Sequence, residues 1–130
     1  MAQTMSNLKT IPYRDKKLLD FARGKPCLLT AVNGCLGGYN TSTTVACHSN
    51  QSKHGKGLGR KADDCYTVWG CVNCHSWLDQ GKAPKAEKVR AFDAALGRQV
   101  REWEDFVATG SGMGWELIAV KKALERLKND

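Results

Sequence analysis

The segment at residues 69–77, WGCVNCHSW, is the feature that most constrains how this chain can fold. Cys71 and Cys74 are separated by two residues, and two thiolates at this spacing can bind one Zn²⁺ at a tight turn that leads into a helix. His75 would then lie in the first turn of that helix, directed away from the metal. A closed zinc site has four protein ligands, so the segment predicts a second pair of ligands elsewhere in the chain.

The same segment fits two other kinds of site. C-x-x-C-H is also the attachment signature of c-type haem, and C-x-x-C occurs in thioredoxin-like redox pairs. Haem attachment requires export, whereas the N-terminal sequence MAQTMSNLKTIPYRDKK lacks the apolar region of a signal peptide. A redox pair is expected within a βαβ pattern, and no such pattern surrounds the segment. Six cysteines without an export signal therefore favour metal ligation over haem, redox chemistry or disulfides.

Cys27 and Cys35 are the predicted second pair. They flank a short apolar run that ends in Asn33-Gly34, a dipeptide typical of a β-hairpin turn. Cysteines at the two ends of a hairpin can approach one metal, because the chain folds back on itself. The predicted ligands of a structural zinc ion are therefore Cys27, Cys35, Cys71 and Cys74, with His75 in place of Cys35 as an alternative.

The other cysteines and histidines have simpler interpretations beside the functional ones. Cys47 and Cys65 are expected to be small buried side chains, and His54, in a glycine-rich stretch, is expected to be solvated. An alternative places these three residues in a second metal site with His48. His48 itself would otherwise be a hydrogen-bonded histidine that closes a strand.

Positive charge is concentrated in the middle of the chain. The net charge is +7, and residues 21–62 contain six basic side chains and no Asp or Glu. A basic region confined to one segment is typical of proteins that bind a phosphate backbone. The glycine-rich stretch 51–61 is a predicted mobile loop, and its basic residues are the predicted nucleic-acid contacts: Lys53, Lys56, Arg60 and Lys61. No apolar run approaches the roughly 18 residues of a membrane span, so we expect no membrane partner and a cytoplasmic location.

The chain is predicted to form one core with a helical extension. Residues 1–17 would be a flexible lead-in, residues 18–82 would hold the zinc-containing core, and residues 83–130 would form helices that pack on it. The β-branched stretch 43–48 predicts a strand that ends in His48. After residue 85, apolar residues recur every three to four positions in two segments, which predicts two amphipathic helices. Their apolar faces would cover the zinc module or, alternatively, form a homodimer contact.

Four pieces of the sequence occur in an order that resembles a known nuclease core. They are PC…GC, TTVACHS, GKGLGRKADD and WGCVNCHSWLD, and together they cover about residues 25–79. A thiol-bearing hairpin, a strand ending in histidine, a basic loop and a C-x-x-C before a helix resemble the ββα-metal (HNH) nuclease core. The order is most similar to the YbcO-like family of HNH nucleases from phages and prophages. The resemblance implies an α+β fold, with a small zinc-stapled ββα-metal core and a C-terminal helical hairpin.

The resemblance also implies roles for the two histidines. His48 would be the general base that takes a proton from the attacking water, since imidazole can accept a proton at neutral pH. His75 would ligate one catalytic divalent ion, Mg²⁺ or Mn²⁺, at the scissile phosphate. Asp79, four residues later on the same helical face, would orient His75 or join the ligands of that ion. The zinc would do no chemistry and would hold the helix against the hairpin.

The sequence departs from the HNH pattern in two ways. The residue before the base commonly binds the metal, and here it is Cys47, whose soft thiolate suits Mg²⁺ poorly. The middle asparagine has no clear counterpart, although Asn50 and Asn73 are near the expected place. Asp63 or Asp64 is a candidate for the missing oxygen ligand.

These residues predict a metal-dependent DNA endonuclease that hydrolyses phosphodiester bonds in the cytoplasm of a bacterial host. The main alternative is a non-catalytic, zinc-stapled DNA-binding module, such as a recombination accessory protein. A third possibility is a structural zinc protein whose helical hairpin binds another protein. Cleavage of DNA separates the first hypothesis from the second, and dependence of binding on the basic stretch separates both from the third.

Overall fold

The structure is a computed structural model, and it describes residues 11–110 and 114–130. Within these residues the chain forms a two-stranded antiparallel sheet and four α-helices, which confirms the predicted α+β class. The helices are α1 (Lys16–Asp20), α2 (Val72–Gln80), α3 (Lys85–Thr109) and α4 (Gly114–Asn129), the strands are β1 (Val45–His48) and β2 (Thr67–Gly70), and a 3₁₀ turn covers Ser52–His54. None of the described helices combines the length and apolar character that a membrane span requires. Most of the predicted lead-in, residues 1–10, lies outside the described residues.

The two strands pair with His48 opposite Thr67 and Val45 opposite Gly70. His48 therefore lies at the end of the sheet where the connection 49–66 begins. At the other end, the Cys47 side chain lies against Gly70, because a Cβ atom on Gly70 would lie 2.6 Å from Sγ of Cys47. Glycine at this position allows the buried thiol to pack directly against the β2 backbone.

The outer edge of β2 is closed by groups from two other segments. The Trp69 N–H donates to the side-chain oxygen of Gln99 in α3 at 2.8 Å. The Trp69 carbonyl accepts from the backbone N–H groups of Leu28 and Leu29, at 2.8 and 3.2 Å. An open strand edge is a template for pairing with another chain, and these bonds use its donors and acceptors instead.

α1 is a short helix that begins directly after a capping aspartate. Asp15 is the N-cap residue, and its carboxylate accepts from the backbone N–H groups of Lys17 and Leu18. Just before the cap, the Tyr13 N–H donates to the carboxylate of Asp63 at 3.2 Å. The segment that enters α1 is thus attached to the connection between the strands.

The buried side chains form two clusters that share α3. The helical core gathers α1, α4 and the second half of α3 around one tryptophan of β2: Leu18, Phe21, Trp69, Trp103, Ala119, Val120 and Ala123. The sulfur core lies on the other side of β2 and includes Cys27, Leu29, Cys47, Val68, Cys71, Cys74, Leu78 and Phe92. α3 contributes Trp103 to the first cluster and Phe92 to the second, and both side chains are 1% exposed. The apolar stripe of α3 therefore packs on the sheet, while a homodimer contact stays a prediction.

The hairpin predicted between Cys27 and Cys35 is wrong. Among the described residues no strand occurs between α1 and β1, and Asn33-Gly34 occupy a turn within an irregular segment. Asn33-Gly34 form the expected turn, but backbone N–H groups on either side of it donate to cysteine sulfurs rather than to each other's carbonyl groups. The physical reason lies in the cysteine cluster.

Candidate metal centre and catalytic cleft

Four cysteines meet at the turn before α2. Cys27 and Cys35 come from the irregular segment, Cys71 precedes α2 and Cys74 lies in its first turn. Their sulfur atoms all lie within 4.8 Å of one another, and all six cysteines of the chain are free thiols. Sulfurs bound to one tetrahedral zinc ion at about 2.3 Å lie about 3.8 Å apart, so the four side chains can hold a metal ion such as zinc with a small adjustment. The four predicted ligands are thus brought together, and His75 is not among them.

Backbone N–H groups surround these sulfurs. Ala31 donates to Sγ of Cys74 at 3.2 Å, Gly37 donates to Sγ of Cys35 at 3.3 Å, and longer contacts of 3.5 Å reach the other two sulfurs. Such bonds stabilise negative charge on the sulfur that accepts them. They explain why the segment is not a hairpin, because its N–H groups point to the thiols and not to a second strand.

Cys71 shows the effect of these bonds most clearly. Burial by itself would raise the pKa of its thiol, but the N–H groups of Leu36, Cys74 and Asn73 outweigh burial and lower the pKa to about 7. A thiol with this pKa is partly ionised at neutral pH, and the thiolate is the form that ligates zinc. The donor set, its burial and its N–H bonds therefore fit a closed structural zinc site.

The remaining two cysteines are buried packing residues, as expected. Cys47 is completely buried, and its thiol points toward the carbonyl oxygens of Val45 and Gly70. Burial raises the pKa of Cys65 to about 12 and also raises the pKa of Cys47 well above its ordinary value. Among the described residues, the four-cysteine cluster is the one group that brings three or more potential metal ligands together, so the alternative second site is not formed.

His48 and His75 line one cleft of about 270 Å³. His48 is at the end of β1, and His75 is in the first turn of α2, directly after the cysteine pair that places this helix. Lys56 and Lys61, from the connection between the strands, line the same cleft. The predicted base, the predicted metal ligand and two of the four predicted nucleic-acid contacts are therefore neighbours. The other two differ: Lys53 lines a separate groove beside α4, and Arg60 is half-buried.

A buried carboxylate lies behind His48. Nε2 of His48 is 2.8 Å from Oδ1 of Asp64, a residue that is 2% exposed. The second oxygen of Asp64 accepts from the Asp15 N–H at 2.7 Å, and the Arg14 guanidinium lies 3.3 Å from the first. Burial alone would raise the pKa of Asp64, but the bonds from His48 and Asp15, together with Arg14, lower it. Asp64 is therefore an ionised acceptor for a proton on Nε2 of His48.

A second set of hydrogen-bonded side chains links α2 to Asn50, which lies two positions after His48. Nε2 of His75 is 3.1 Å from one carboxylate oxygen of Asp79, and the side-chain amide of Asn50 donates to the other at 3.0 Å. His75 and Asp79 are 38% and 43% exposed, so both are accessible to a ligand. The separation of 3.1 Å is that of a hydrogen bond between the imidazole and the carboxylate.

Several residues occupy places that the sequence did not indicate. Asp64, considered as an oxygen ligand of the metal, faces His48, and Asp63 binds Arg126 and the backbone of Tyr13. His54, expected to be solvated, is 7% exposed and stacks on Tyr66 with ring centroids 4.0 Å apart. A signal for Asp64 was present in the pair of acidic residues that ends the basic stretch, but its partner is sixteen residues away.

The two asparagine candidates, Asn50 and Asn73, lie in different places in the structure. Asn50 donates to Asp79, the partner of His75, and it lines the cleft. Asn73 is directed away from the cleft, because its amide donates to the carbonyl oxygen of Gly34 at 2.7 Å. Asn50 is therefore the asparagine that belongs to the candidate site.

Comparison with known proteins gives one match. Residues 16–106, more than two thirds of the chain, match the family model described as "Putative nuclease YbcO". The matched range contains all three histidines, all six cysteines, and the carboxylates of Asp63, Asp64 and Asp79. No curated protein and no solved structure matches the chain.

Proposed function

Because the chain belongs to the YbcO nuclease family, we propose that it is a metal-dependent DNA endonuclease of the ββα-metal (HNH) type. The observation that carries this proposal is the shared cleft of His48 and His75, one backed by a buried carboxylate and the other joined to an exposed one. A strand, a long connection, a second strand and a helix place these two side chains. That order supports the ββα arrangement that the sequence resemblance implies.

In the proposed reaction His48 acts as the general base. Its Nε2–H is held by Asp64, so Nδ1 can accept a proton from a water molecule in the cleft. The water oxygen forms a bond to phosphorus as the bond from phosphorus to the 3′ oxygen breaks, which leaves a 5′-phosphate. Lys56 and Lys61 line the cleft and place two positive charges where the phosphate would bind.

His75 and Asp79 would hold the divalent ion, Mg²⁺ or Mn²⁺, with Asn50 as an amide neighbour. When bound, the ion supplies a Lewis acid that neutralises charge on the phosphate and on the leaving oxygen. The two side chains offer one nitrogen and one carboxylate, and Mg²⁺ commonly uses one or two carboxylates together with substrate oxygens and water. Cys47, which occupies the position before the base, points into the sulfur core and takes no part.

The four-cysteine site has a structural role in this proposal. It joins the irregular segment to the start of α2, and His75 follows its last ligand directly. A small core cannot by itself fix the direction of a short helix, whereas a bound zinc ion contributes directly to folding. The zinc thereby determines where His75 lies relative to His48.

Nicking of supercoiled plasmid DNA tests the proposal. The zinc-loaded chain should nick the plasmid in Mg²⁺ or Mn²⁺, and His48→Ala should lower the rate by about 10²–10⁴-fold, the usual contribution of a general base. His75→Ala should also lower the rate and should raise the concentration of Mn²⁺ needed for half-maximal nicking. Ser76→Ala is the matched control, because Ser76 is the exposed neighbour of His75 on α2.

Zinc content and circular dichroism of each variant show whether the fold is intact. An intact His48→Ala chain that nicks DNA at the full rate would remove the assigned base. A wild-type chain that binds duplex DNA in a salt-dependent manner, yet does not nick it in any divalent ion, would instead support the non-catalytic DNA-binding module.

A further inference from the structure

Residues 57–60, GLGR, form a closed turn that projects from the connection between the strands. The Gly57 N–H donates to the carbonyl of Arg60 at 3.1 Å, and the Arg60 N–H donates to the carbonyl of Gly57 at 3.0 Å. Gly59 has a φ of +69°, which the third position of a type II turn requires. Leu58 therefore occupies the second position, at the tip. The sequence predicted a mobile loop here, whereas the structure contains a short hydrogen-bonded turn.

The base of this turn is attached to buried structure. His54, just before it, stacks on Tyr66 and bonds to the Ser49 hydroxyl at 2.6 Å. The Asp63 N–H, just after it, donates to the His54 carbonyl at 2.9 Å. Residues on both sides of the projection are therefore linked to each other and to the end of β1. A side chain at its tip has a defined direction relative to the cleft.

Leu58 at the tip has no packing partner in the described structure. Its relative exposure is 108%, the highest among the exposed large apolar side chains. A single exposed leucine needs no explanation by itself. Here, however, it lies at the end of a hydrogen-bonded turn, and Lys56 and Lys61 flank that turn and line the candidate catalytic cleft. An apolar tip between cations matches the chemistry of proteins that insert a side chain between stacked bases.

We propose that Leu58 is a wedge that enters the minor groove of duplex DNA and unstacks a base step beside the scissile phosphate. This inference rests on the proposed function for the identity of the partner. It adds that the substrate is a bent duplex, with Lys56 and Lys61 on the phosphates next to the bend. The connection between the strands would thus both bind the backbone and deform it.

The single apolar side chain at the tip favours the minor groove. The minor groove of B-DNA is about 6 Å wide, compared with about 12 Å for the major groove, so one leucine fills a larger share of it. Gly59 carries no side chain, so the tip presents only Leu58 to the groove floor. One leucine would contact little of the wider major groove.

Fluorescence of 2-aminopurine placed in a central TA step tests the proposal, because pyrimidine–purine steps kink easily. The zinc-loaded chain is mixed with the short duplex in buffer without Mg²⁺ or Mn²⁺, and donor and acceptor dyes on the two ends report bending. Wild type and Leu58→Met should brighten the probe and bring the duplex ends together. Leu58→Ser should bind about tenfold more weakly, within the effect of exposing a leucine-sized apolar group, and should do neither at saturation.

Leu58 is fully exposed, so its replacement should not unfold the chain. A change in fluorescence or bending would therefore report a change in DNA contact. Tyr39→Ser is the matched control, because Tyr39 is 85% exposed and does not line the cleft. Equal brightening and bending by wild type and Leu58→Ser would overturn the wedge, as would equal losses in Tyr39→Ser. A wild-type chain that leaves the duplex unbent, or that uses Leu58 to bind anionic lipid vesicles instead, would also overturn it.

Nicking in Mg²⁺, measured in parallel, separates this proposal from the endonuclease proposal. Bending that depends on Leu58 without any nicking would support the wedge proposal and refute the endonuclease proposal. Nicking by Leu58→Ser at the wild-type rate, with no bending by either chain, would refute the wedge and leave the enzyme. A chain that neither binds nor nicks DNA would refute both.

Discussion

Replacement of Asp64 by asparagine tests whether this carboxylate determines which ring nitrogen of His48 carries the proton. Asp64 and His48 share a hydrogen bond of 2.8 Å, and the carboxylate is 2% exposed, so solvent screens the pair weakly. Asparagine keeps the size of the side chain but can present an N–H₂ group to Nε2. Nε2 would then become the acceptor, and the proton would move to Nδ1, the nitrogen assigned to the attacking water. The expected result is loss of nicking, although His48 itself is unchanged.

The magnitude follows from the strength of the bond that is removed. A hydrogen bond to a charged group contributes about 1.5–3 kcal/mol, and each 1.36 kcal/mol of activation free energy is a factor of ten in rate. Asp64→Asn should therefore lower the nicking rate by about 10–150-fold. The unfolding free energy should also fall by a few kcal/mol, because Arg14 and the Asp15 N–H lose a buried charged acceptor.

Asp63→Asn separates the two effects. Asp63 is also buried, accepts from a backbone N–H and pairs with an arginine, but its partners are Tyr13 and Arg126 rather than His48. Both variants should lose stability in urea, and only Asp64→Asn should lose activity beyond what its folded fraction explains. Nitrogen-15 chemical shifts of the His48 ring give the independent measurement: the proton should lie on Nε2 in wild type and Asp63→Asn. An Asp64→Asn chain with the same tautomer and the same nicking rate would refute the reasoning.

Two further perturbations test the metal site and a buried histidine. Cys71→Ser should lower the zinc content from one ion per chain and unfold the segment around Cys27, since structural zinc contributes on the order of 10 kcal/mol in small modules. Cys65→Ser, outside the cluster, should keep its zinc by elemental analysis; equal zinc in both variants would contradict the assigned ligands. Burial lowers the pKa of His54 below its ordinary value of 6.5, so the unfolded chain binds the proton more readily than the folded one. Stability of the zinc-loaded chain should consequently fall as pH decreases below about 6.5, by up to about 1.4 kcal/mol per pH unit, and His54→Gln should remove this dependence. Parallel curves of unfolding free energy against pH for the two chains would exclude His54 as the cause.

The cysteine spacing and the helical periodicity predicted much of the architecture. A C-x-x-C pair before a helix is a local pattern, and the structure places α2 directly after Cys71. The apolar repeat after residue 85 is also local, and it produced α3 with Trp103 and Phe92 on its buried face. Local patterns of this kind are readable because their spacing follows from the geometry of one element.

The wrong structural predictions concern segments whose backbone hydrogen bonds go to partners that residue propensities do not predict. The predicted hairpin at residues 27–35 assumed that backbone N–H groups would pair across a turn, but Ala31 and Gly37 donate to sulfur instead. The glycine-rich stretch was predicted to be mobile because glycine is permissive. Gly59 uses that freedom to form one closed turn, and His54 beside it is buried rather than solvated.

The least predictable feature of the candidate site is the contact between Asp64 and His48. Asp64 reaches His48 only because the connection 49–66 returns to β1, where it meets Arg14 from the segment before α1. No spacing rule relates these three residues, since each lies in a different part of the chain. The cysteine cluster places His75 through local geometry, whereas the surroundings of His48 depend on a contact between three distant segments. The sequence therefore indicates both histidines as candidates, whereas the ring nitrogen of His48 that is left for the proposed proton transfer depends on the bond to Asp64.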